Sequence, residues 1–430
     1  MSDTEIDTGE RLTVTSRGAE ARAVKRFYAR HRLDIEPRHL LGALAAMTAT
    51  NRGSSARRLE AIWSTDRSGL ACYSVRSGVH LLLSALDLPA GGEVVFSAVT
   101  HPDMPRLAAH HGLTAVPVDL DPETLAPRLD ALYRAIGQGT RLVVVAHLFG
   151  GRVDLERIAA ACRRQRVLLV EDCAQAFAGP EDTGDPLAGV SMFSFGILKT
   201  ATALGGAMLT VRDPRLLGRM REIQRRWPVQ RRRSQLKRIA QTALFVALTR
   251  PAPYSLVARL CAAVGADFDR LVNSAAKAFP VGSTPELVRR LELQPGAPLL
   301  SLMAERLLGF DHARLLERAA SGACLAELLP DGTHVGGAAL DHTHWLFPIV
   351  TDHAAELIAA ARTAGFDAAR SASSVQAIAA PAGRPDLEPL CARHFMSRLV
   401  FLPAYPELPR GSHDRLAAAA GGIEHAVVTR

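Results

Sequence analysis

An acidic and a basic residue stand at the ends of two apolar segments in the central part of this chain. Asp172 closes the segment VLLVED, and Lys199 follows the segment MFSF after a short link. A lysine amine can form a Schiff base with an aldehyde cofactor, and a buried carboxylate can keep a pyridine nitrogen protonated. This pair predicts an enzyme that uses pyridoxal phosphate (PLP), with Asp172 and Lys199 as its catalytic residues.

Each of the two residues also has an ordinary interpretation. Lys199 could be a surface lysine, and Asp172 could be a helix N-cap or a partner in a buried ion pair. Their positions after apolar strands favour the chemical interpretation, because ligands of open α/β sheets bind outside the carboxyl ends of the strands.

The cofactor phosphate needs an anion site, and the segment YSVRSGVHLLLSAL contains the start of an apolar-periodic helix. Ser77 and Gly78 precede that periodicity, so the N–H groups of Gly78, Val79 and His80 are predicted to hold the phosphate, helped by the helix dipole. A Ser-Gly pair is also simply a good helix cap. Ser194, in the strand FSF, is a candidate hydroxyl donor to the same group.

Two further residues are candidates for contact with the cofactor ring. Gln175 follows Asp172 by three residues and is predicted to hydrogen-bond the ring hydroxyl. His101 follows the segment EVVFSAVT and is a candidate for stacking on the ring. An ordinary loop amide and an ordinary loop histidine remain open as alternatives.

No metal site is predicted. The histidine pairs His110–His111 and His342/His344 lack carboxylates or cysteines at the spacing of metal ligands. The chain also contains no Walker A sequence and no GxGxxG segment after a strand, so neither nucleotide-binding motif is indicated.

Short apolar segments alternate with helical stretches from residue 77 to residue 210. This alternation is typical of a mostly parallel sheet covered by helices on both faces, which is an α/β fold. The strand segments are predicted at 93–96, 114–118, 142–147, 167–170, 192–195 and 207–211.

Changes in composition divide the chain into four parts. They are an N-terminal helical segment (1–70), a large α/β domain (71–219), a basic and apolar helical insertion (220–285), and a connecting helix followed by a small α+β domain (286–430). The last part contains a long helical pattern at 299–329, expected to be broken.

The composition indicates a globular protein without disulfides. With 430 residues and 48% hydrophobic content, the chain can bury a substantial core. Its six cysteines are scattered and form no CxxC pair, which is typical of a reducing compartment. The first residues lack the apolar core of a secretory signal, and no stretch reaches the roughly 18 apolar residues of a spanning helix. We therefore expect a cytoplasmic location.

Positive charge is concentrated at the start of the insertion. The net charge is +8, and ten arginines and lysines lie between residues 215 and 238, followed by apolar segments at 239–249 and 254–265. Such a sequence suits helices on an anionic membrane surface, so peripheral membrane contact through 220–262 is one interpretation. A helical hairpin at a subunit interface or over the active site is the other. No nucleic-acid partner is expected.

Several of these segments resemble the DegT/DnrJ sugar-aminotransferase family, a group of fold-type-I PLP-dependent enzymes. The resemblance covers about 58–215 and 286–415 and includes the segments VVVAHLFGGRVDLERI, VLLVEDCAQAF, MFSFGILK and LVFLPAYPEL in family order. It implies a seven-stranded type of sheet with a smaller C-terminal domain, and a homodimer.

The resemblance also implies an activity and a role for each candidate residue. The activity is transfer of an amino group from a donor such as glutamate to a keto sugar or a similar ketone or aldehyde, in sugar or polysaccharide biosynthesis. Lys199 would be the Schiff-base lysine and Asp172 the partner of the pyridine nitrogen. Gln175 would contact the ring hydroxyl, Ser194 with the Gly78–His80 turn would bind phosphate, and His101 would take the place of a stacking aromatic residue.

The chain departs from the family pattern in three places. Val79 stands where the family has a threonine, the family's GEGG reads ALGGA, and the asparagine that crosses the dimer to the phosphate has no counterpart. Arg289 or Arg290 is a candidate to compensate for it. Two alternative functions stay open: a PLP-dependent lyase or desulfurase on the same fold, and a transaminase that uses a lipid-linked acceptor at the membrane.

Overall fold

The computed structural model describes residues 26–276, 282–370 and 373–428. The predicted N-terminal segment is therefore described only from residue 26, and the predicted insertion and C-terminal part are described without 277–281, 371–372 and 429–430.

A seven-stranded sheet forms the centre of the fold, in the order β1-β8-β7-β6-β5-β2-β4. Its strands are β1 (Gly69–Cys72), β2 (Glu93–Ser97), β4 (Thr114–Val118), β5 (Thr140–Ala146), β6 (Leu168–Asp172), β7 (Val190–Ser194) and β8 (Ala207–Val211). The five strands from β7 to β4 in that order run parallel, whereas β8 pairs antiparallel with both β7 and β1. The prediction of a mostly parallel sheet is confirmed. Of the seven strands of this sheet, the short edge strand β1 was not predicted from the sequence.

Helices cover both faces of this sheet and exclude water from its apolar residues. They are α3 (Val75–Leu86), α4 (Asp103–His110), α5 (Leu129–Ala135), α6 (Glu156–Gln165) and α7 (Pro214–Arg225). One apolar cluster packs α3, α4 and α7 on one face, and another packs α5 and α6 on the opposite face. Burial on both faces explains why the strands read as continuous apolar runs.

The remaining helices of the first 300 residues pack beside the sheet. They are α1 (Pro37–Ala46), α2 (Arg52–Trp63), α8 (Arg232–Leu248), α9 (Pro251–Ala263), α10 (Phe268–Ala276) and α11 (Thr284–Leu291). The two apolar segments of the predicted insertion form α8 and α9. None of the helices in the described part of the chain combines the length and apolarity needed to cross a bilayer.

The C-terminal part contains helices around a two-stranded sheet. Its elements are α12 (Ala297–Leu308), α13 (His312–Glu327), β9 (Phe347–Val350), α14 (Ala354–Thr363), β10 (Gln376–Ala377), α15 (Leu390–Arg398), β11 (Leu399–Leu402) and α16 (Ser412–Val428). β11 pairs antiparallel with β9, and β10 pairs with β3 (Val99–Thr100). The long helical pattern is broken at Gly309, and α13 begins after Asp311, whose Oδ1 accepts a hydrogen bond from the Arg314 N–H at 3.0 Å.

Candidate active site

The carboxyl ends of β5, β6 and β7 meet at one edge of the sheet. In the ladders, Ala146 faces Asp172 and Asp172 faces Met192, so the residues that follow these strands lie side by side. Open parallel sheets bind ligands at this edge. The structure therefore brings Asp172 and the turn after β7, which carries Lys199, to the same crevice.

Asp172 is buried and held in place by backbone hydrogen bonds. Its Oδ1 accepts from the Ala174 N–H at 2.9 Å, and its carbonyl oxygen accepts from the His147 N–H at 3.0 Å. Burial raises the pKa of this carboxyl, while the Ala174 N–H and the positive charge of Lys199 oppose the rise. Burial thus disfavours the ionised carboxylate without a cation beside it, and a protonated partner at this position would be stabilised by pairing with it.

Lys199 lies in a tight turn directly after β7. Its N–H donates to the Gly196 carbonyl at 2.9 Å, and its Nζ lies 3.9 Å from the centroid of the Trp345 ring. Burial lowers the pKa of Lys199 to about 8, with Asp172 opposing and Arg76 adding to the decrease. A sizeable fraction of this amine is neutral at mildly alkaline pH, which is what a nucleophilic lysine requires.

The helix that was predicted to hold the phosphate begins earlier than predicted. α3 starts at Val75 with Ser74 as its N-cap; the Ser74 Oγ accepts from the Ser77 N–H at 3.1 Å, and the Ser74 carbonyl accepts from the Gly78 N–H at 3.0 Å. Gly78 therefore lies inside the helix, and its amide is already bonded. The anion site of this helix end moves to the turn formed by Ser74, Val75 and Arg76.

The side chains of Ser77, Val79 and His80 contact other parts of the protein. Ser77 is fully buried with its Oγ 3.0 Å from the Ser74 Oγ, and Val79 is buried in the core. The His80 Nε2 lies 3.2 Å from a carboxylate oxygen of Glu292, and the His80 ring stacks on Trp227. The helix start lies about one turn before Gly78, Val79 and His80, and the placement of phosphate on these residues stays a prediction.

Gly78 has a packing role that can be measured. A Cβ at this position would lie 2.9 Å from Leu209 Cδ1 of β8, whereas a Cβ at Gly218 of α7 would meet nothing within 4 Å. We expect Gly78→Ala to lower the free energy of unfolding by about 1–3 kcal/mol through overpacking. The matched variant Gly218→Ala should raise it by about 0.5–1 kcal/mol. Urea denaturation measures both; equal effects of the two variants would contradict the close packing of α3 on β8.

The other predicted ring contacts lie near the crevice. The Nδ1 of His101 accepts from the Asp103 N–H at 3.1 Å, and burial, Arg76 and Lys199 lower the His101 pKa to about 4 although Asp103 opposes them. His101 is therefore a neutral ring within electrostatic range of the amine. A stacking role for it stays a prediction.

Gln175 and Ser194 make hydrogen bonds within the chain. The Gln175 Oε1 accepts from the Phe149 N–H at 2.9 Å, and its Nε2 lies 3.4 Å from the Ser373 Oγ. The Ser194 Oγ accepts a long bond of 3.4 Å from the Gly196 N–H. Their predicted contacts with the ring hydroxyl and the phosphate also stay predictions.

Three residues beside this crevice were not found from the sequence. The Arg76 Nη1 is 2.6 Å from a carboxylate oxygen of Asp103, next to His101. The Trp345 Nε1 donates to the Leu198 carbonyl at 2.8 Å, and the His31 Nε2 lies 3.2 Å from the same oxygen. The two rings fix the turn that carries Lys199. Trp345 and His31 come from distant segments, so no spacing rule could have indicated them.

A buried polar network supports the strand ends from behind. The Val153 N–H donates to the His147 Nδ1 at 3.0 Å, so the His147 Nε2 carries the proton and donates to Glu171 at 2.9 Å. Burial alone would raise the pKa of Glu171, but His147, with contributions from Ser191 and Arg152, lowers it to about 2. The network fixes β5 against β6, and thereby the backbone of Asp172.

These residues fit the demands that PLP makes on a protein. Lys199 offers an amine with a lowered pKa, Asp172 offers a buried carboxylate, and the Ser74–Arg76 turn offers a helix N-terminus for a phosphate.

The fold and this set of residues define an α/β domain of the fold-type-I aminotransferase class, and comparisons with known proteins agree. The model of the DegT/DnrJ/EryC1/StrS aminotransferase family matches residues 38–243. This match confirms the resemblance inferred from the motifs over these residues.

One relative and several solved structures are similar to the chain. L-glutamine:2-deoxy-scyllo-inosose aminotransferase of Streptomyces kanamyceticus is 36% identical over 202 residues, which are 44% of this chain and 46% of the relative. The alignment thus spans about half the length of that relative.

The aminotransferase TlmJ of Streptoalloteichus hindustanus has a TM-score of 0.64 at 18% identity, over 94% of this chain and 99% of that one. PseC of Helicobacter pylori, an aminotransferase involved in pseudoaminic acid biosynthesis, has a TM-score of 0.66 at 14% identity, over 93% and 100%. These likenesses confirm the predicted fold class.

Proposed function

We propose that the chain is a PLP-dependent aminotransferase that moves an amino group from an amino acid to a ketone on a sugar or a sugar-like ring. The observation that carries this proposal is the meeting of Lys199 and Asp172 at one strand-end crevice inside the region matched by the family. The similar Streptomyces protein is named for L-glutamine and 2-deoxy-scyllo-inosose, and this name supports glutamine or glutamate as donor and a cyclic ketone as acceptor.

Bound PLP supplies an electron-poor ring that takes up the electron pair left when a proton departs from the carbon beside the amine. The protein's residues do the rest. Asp172 holds a proton on the ring nitrogen, and the Lys199 Nζ, neutral in part near pH 8, removes the substrate proton and returns it. The helix end at Ser74–Arg76 would hold the phosphate.

The proposal is tested by incubating the PLP-loaded protein with L-glutamine or L-glutamate alone. A transaminase converts its cofactor to pyridoxamine phosphate in this half-reaction, and mass spectrometry of the released cofactor measures it. A lyase or desulfurase of the same fold would leave the cofactor as PLP, and that result with each amino acid offered would refute the proposal. A panel of keto sugars and keto-cyclitols added to the aminated protein would then identify the acceptor class.

The lowered pKa of Lys199 has a consequence that can be measured before any turnover. Only the neutral amine can capture PLP, so we expect the capture rate of cofactor-free protein to rise about tenfold per pH unit below pH 8 and to level off above it. Stopped-flow absorbance follows the capture. Because Asp172 raises the Lys199 pKa, Asp172→Asn should move this midpoint to lower pH. A rate that keeps rising to about pH 10, as an unshifted lysine requires, would contradict the burial of Lys199.

We propose that the chain is organised in the four parts expected from the sequence, with the N-terminal helical segment packed on the large domain. The four parts are 1–70, 71–219, 220–285 and 286–430. The free state of all six cysteines, none of them in a disulfide, supports a cytoplasmic location.

We further propose that the insertion forms a contact surface, either with a membrane or with a second copy of the chain in a homodimer. Large apolar side chains project from α8, from α9 and from the residue that caps α9, and they are here called the α8–α9 ridge: Leu236, Leu244, Leu248, Leu256, Leu260 and Val264. Arginines flank the ridge, which supports contact with anionic lipid. Other arginines of the basic run serve the fold instead, since Arg221 pairs with Glu60 and Arg238 donates to the Tyr73 hydroxyl.

The double variant Leu244→Glu/Leu256→Glu distinguishes the two partners, because both side chains are more than half exposed and carry little core packing. If the ridge contacts lipid, the variant should lose co-sedimentation with vesicles rich in phosphatidylserine. If the ridge forms the dimer, the variant should sediment as a monomer. Unchanged behaviour in both assays would remove the ridge as a contact surface. Glu222→Ala, on an exposed part of α7, is the control.

A further inference from the structure

Three histidines from two separate segments meet at the edge of β9. His334 forms a bridge with Ile349 of β9, while His342 and His344 lie in the loop that leads into this strand. Their ring centroids are 4.0 Å apart for His342 and His344, 5.3 Å for His334 and His344, and 5.6 Å for His334 and His342. One ring nitrogen of each residue lies within 4.8 Å of those of the other two.

This three-histidine cluster is incompletely satisfied. The His334 Nε2, the His342 Nε2 and the His344 Nδ1 are buried and have no hydrogen-bond partner among the described residues. Buried polar atoms without partners cost free energy, so three such atoms in one cluster require an explanation. A neutral imidazole nitrogen without another partner is the form that binds metal ions.

We propose that the three-histidine cluster is a binding site for a divalent transition-metal ion of the zinc type. Imidazole nitrogens without carboxylates favour zinc, nickel or copper over magnesium or calcium. Zinc–nitrogen distances of about 2.0–2.1 Å place tetrahedral ligands about 3.4 Å apart, so shifts of about 1 Å would close the cluster around an ion. A water molecule would complete the tetrahedron.

Two local features oppose metal binding: one hydrogen bond must break, and a positive charge lies nearby. The His342 Nδ1 accepts from the His344 N–H at 2.9 Å, so binding through the His342 Nε2 moves the ring proton to Nδ1 and breaks this bond. Arg318, which donates to the Thr343 carbonyl at 2.9 Å, adds a positive charge nearby. The site is therefore expected to bind zinc less tightly than a site with thiolate ligands.

In a second cluster of potential metal ligands, the ligand atoms already have hydrogen-bond or ion-pair partners. The side chains of His147, Glu171 and Cys173 also lie within 4.8 Å of one another. The guanidinium of Arg152 lies 3.1 Å from the Cys173 Sγ and 3.5 Å from a Glu171 oxygen, and backbone N–H groups occupy other acceptors. The Arg152 cation already pairs with the ligand atoms of that cluster, whereas one ring nitrogen of each residue in the three-histidine cluster has no hydrogen-bond partner among the described residues.

The position of the cluster points to a structural role for the ion. The His342–His344 loop bridges to Gly151, and the Thr343 N–H donates to the Gly150 carbonyl at 2.9 Å. The next residue is Trp345, whose ring contacts the Nζ of Lys199. A bound ion would hold this loop, and with it Trp345, against the turn that carries the amine.

The test is metal binding by the full-length protein without an affinity tag. The protein is first freed of metal with a chelator, then mixed with Zn²⁺ and separated from unbound ions by gel filtration. We expect it to retain about one equivalent of Zn²⁺ per chain by elemental mass spectrometry and to show a higher melting temperature than the metal-free protein. Co²⁺ in its place should give visible absorption of tetrahedral coordination. No retained Zn²⁺ and no Co²⁺ spectrum would overturn the proposal.

Single variants assign the ligands. His334→Gln should weaken Zn²⁺ binding by at least the roughly 10–100-fold that even outer-shell changes cost. The control His394→Gln alters an exposed histidine that lies beside Arg398 and should bind like the parent protein. If His334→Gln fails to fold, His342→Gln takes its place, and the titration of the unchanged protein still decides. Zn²⁺ bound equally by parent and His334→Gln proteins would place the ion elsewhere and refute the site.

Discussion

Replacing Lys199 with alanine is expected to abolish the amino-transfer half-reaction. Loss of the proton transfer alone should lower its rate by roughly 10²–10⁴-fold, and loss of the covalent attachment adds to this. Lys199→Arg distinguishes the effect of the positive charge from that of the neutral amine, because a guanidinium keeps the charge but is never neutral at accessible pH. We therefore expect the arginine variant to be as inactive as the alanine variant.

Borohydride reduction followed by peptide mass spectrometry gives a readout that is independent of turnover. The parent protein should carry the reduced cofactor on the peptide that contains Lys199, and both variants should carry none. Lys237→Ala, at an exposed position on α8, should retain the label and the activity. A label on another lysine, or turnover by Lys199→Ala, would remove Lys199 from the proposed mechanism.

The parts of the site that follow strands could be predicted from sequence because both patterns involved are local. A run of apolar residues fixes a buried strand, and the residue after it must lie at the sheet edge. To place Asp172 and Lys199 at the sheet edge, only the ends of their strands had to be predicted. An error of one residue in a strand end did not change that placement. β7, for example, ends at Ser194 where the sequence indicated 195.

The phosphate turn could not be fixed in this way, because its segment contains two residues suited to cap a helix. Ser74 and Ser77 are both good N-caps, and propensity does not choose between them. Tertiary packing chooses between them. Gly78 lies against Leu209 of β8, and this contact requires Gly78 to be inside α3. A contact between residues more than a hundred positions apart thus decides where the helix begins.

The side chains that fix the Lys199 turn were unpredictable for a related reason. Trp345 and His31 both contact the Leu198 carbonyl, yet they come from opposite ends of the chain. The third member of the three-histidine cluster, His334, is likewise brought to His342 by strand pairing around β9. Neither arrangement has a sequence period, so only the tertiary fold reveals it.

Asp172→Asn is the second change with a large expected effect, and it should act in opposite directions on activity and stability. The amide keeps the shape of the side chain but cannot pair with a protonated ring nitrogen. Removing one partner of a buried ion pair costs about 3–5 kcal/mol. If this loss falls on the transition state, the rate of the half-reaction should drop by roughly 10²–10⁴-fold. Asp172→Glu, which keeps a carboxylate, should retain more activity than the asparagine variant.

The cofactor-free protein should respond in the opposite sense. Burial raises the Asp172 pKa above its value in the unfolded chain, so the folded state loses stability as pH rises through the interval between the two values. At pH 7 the ionised carboxylate is therefore a cost to the cofactor-free fold, and Asp172→Asn should raise its melting temperature. Differential scanning calorimetry without and with PLP measures the difference. A variant that is both less stable without PLP and less active would indicate a structural carboxylate, whereas a more stable but inactive one would indicate a carboxylate kept for the cofactor.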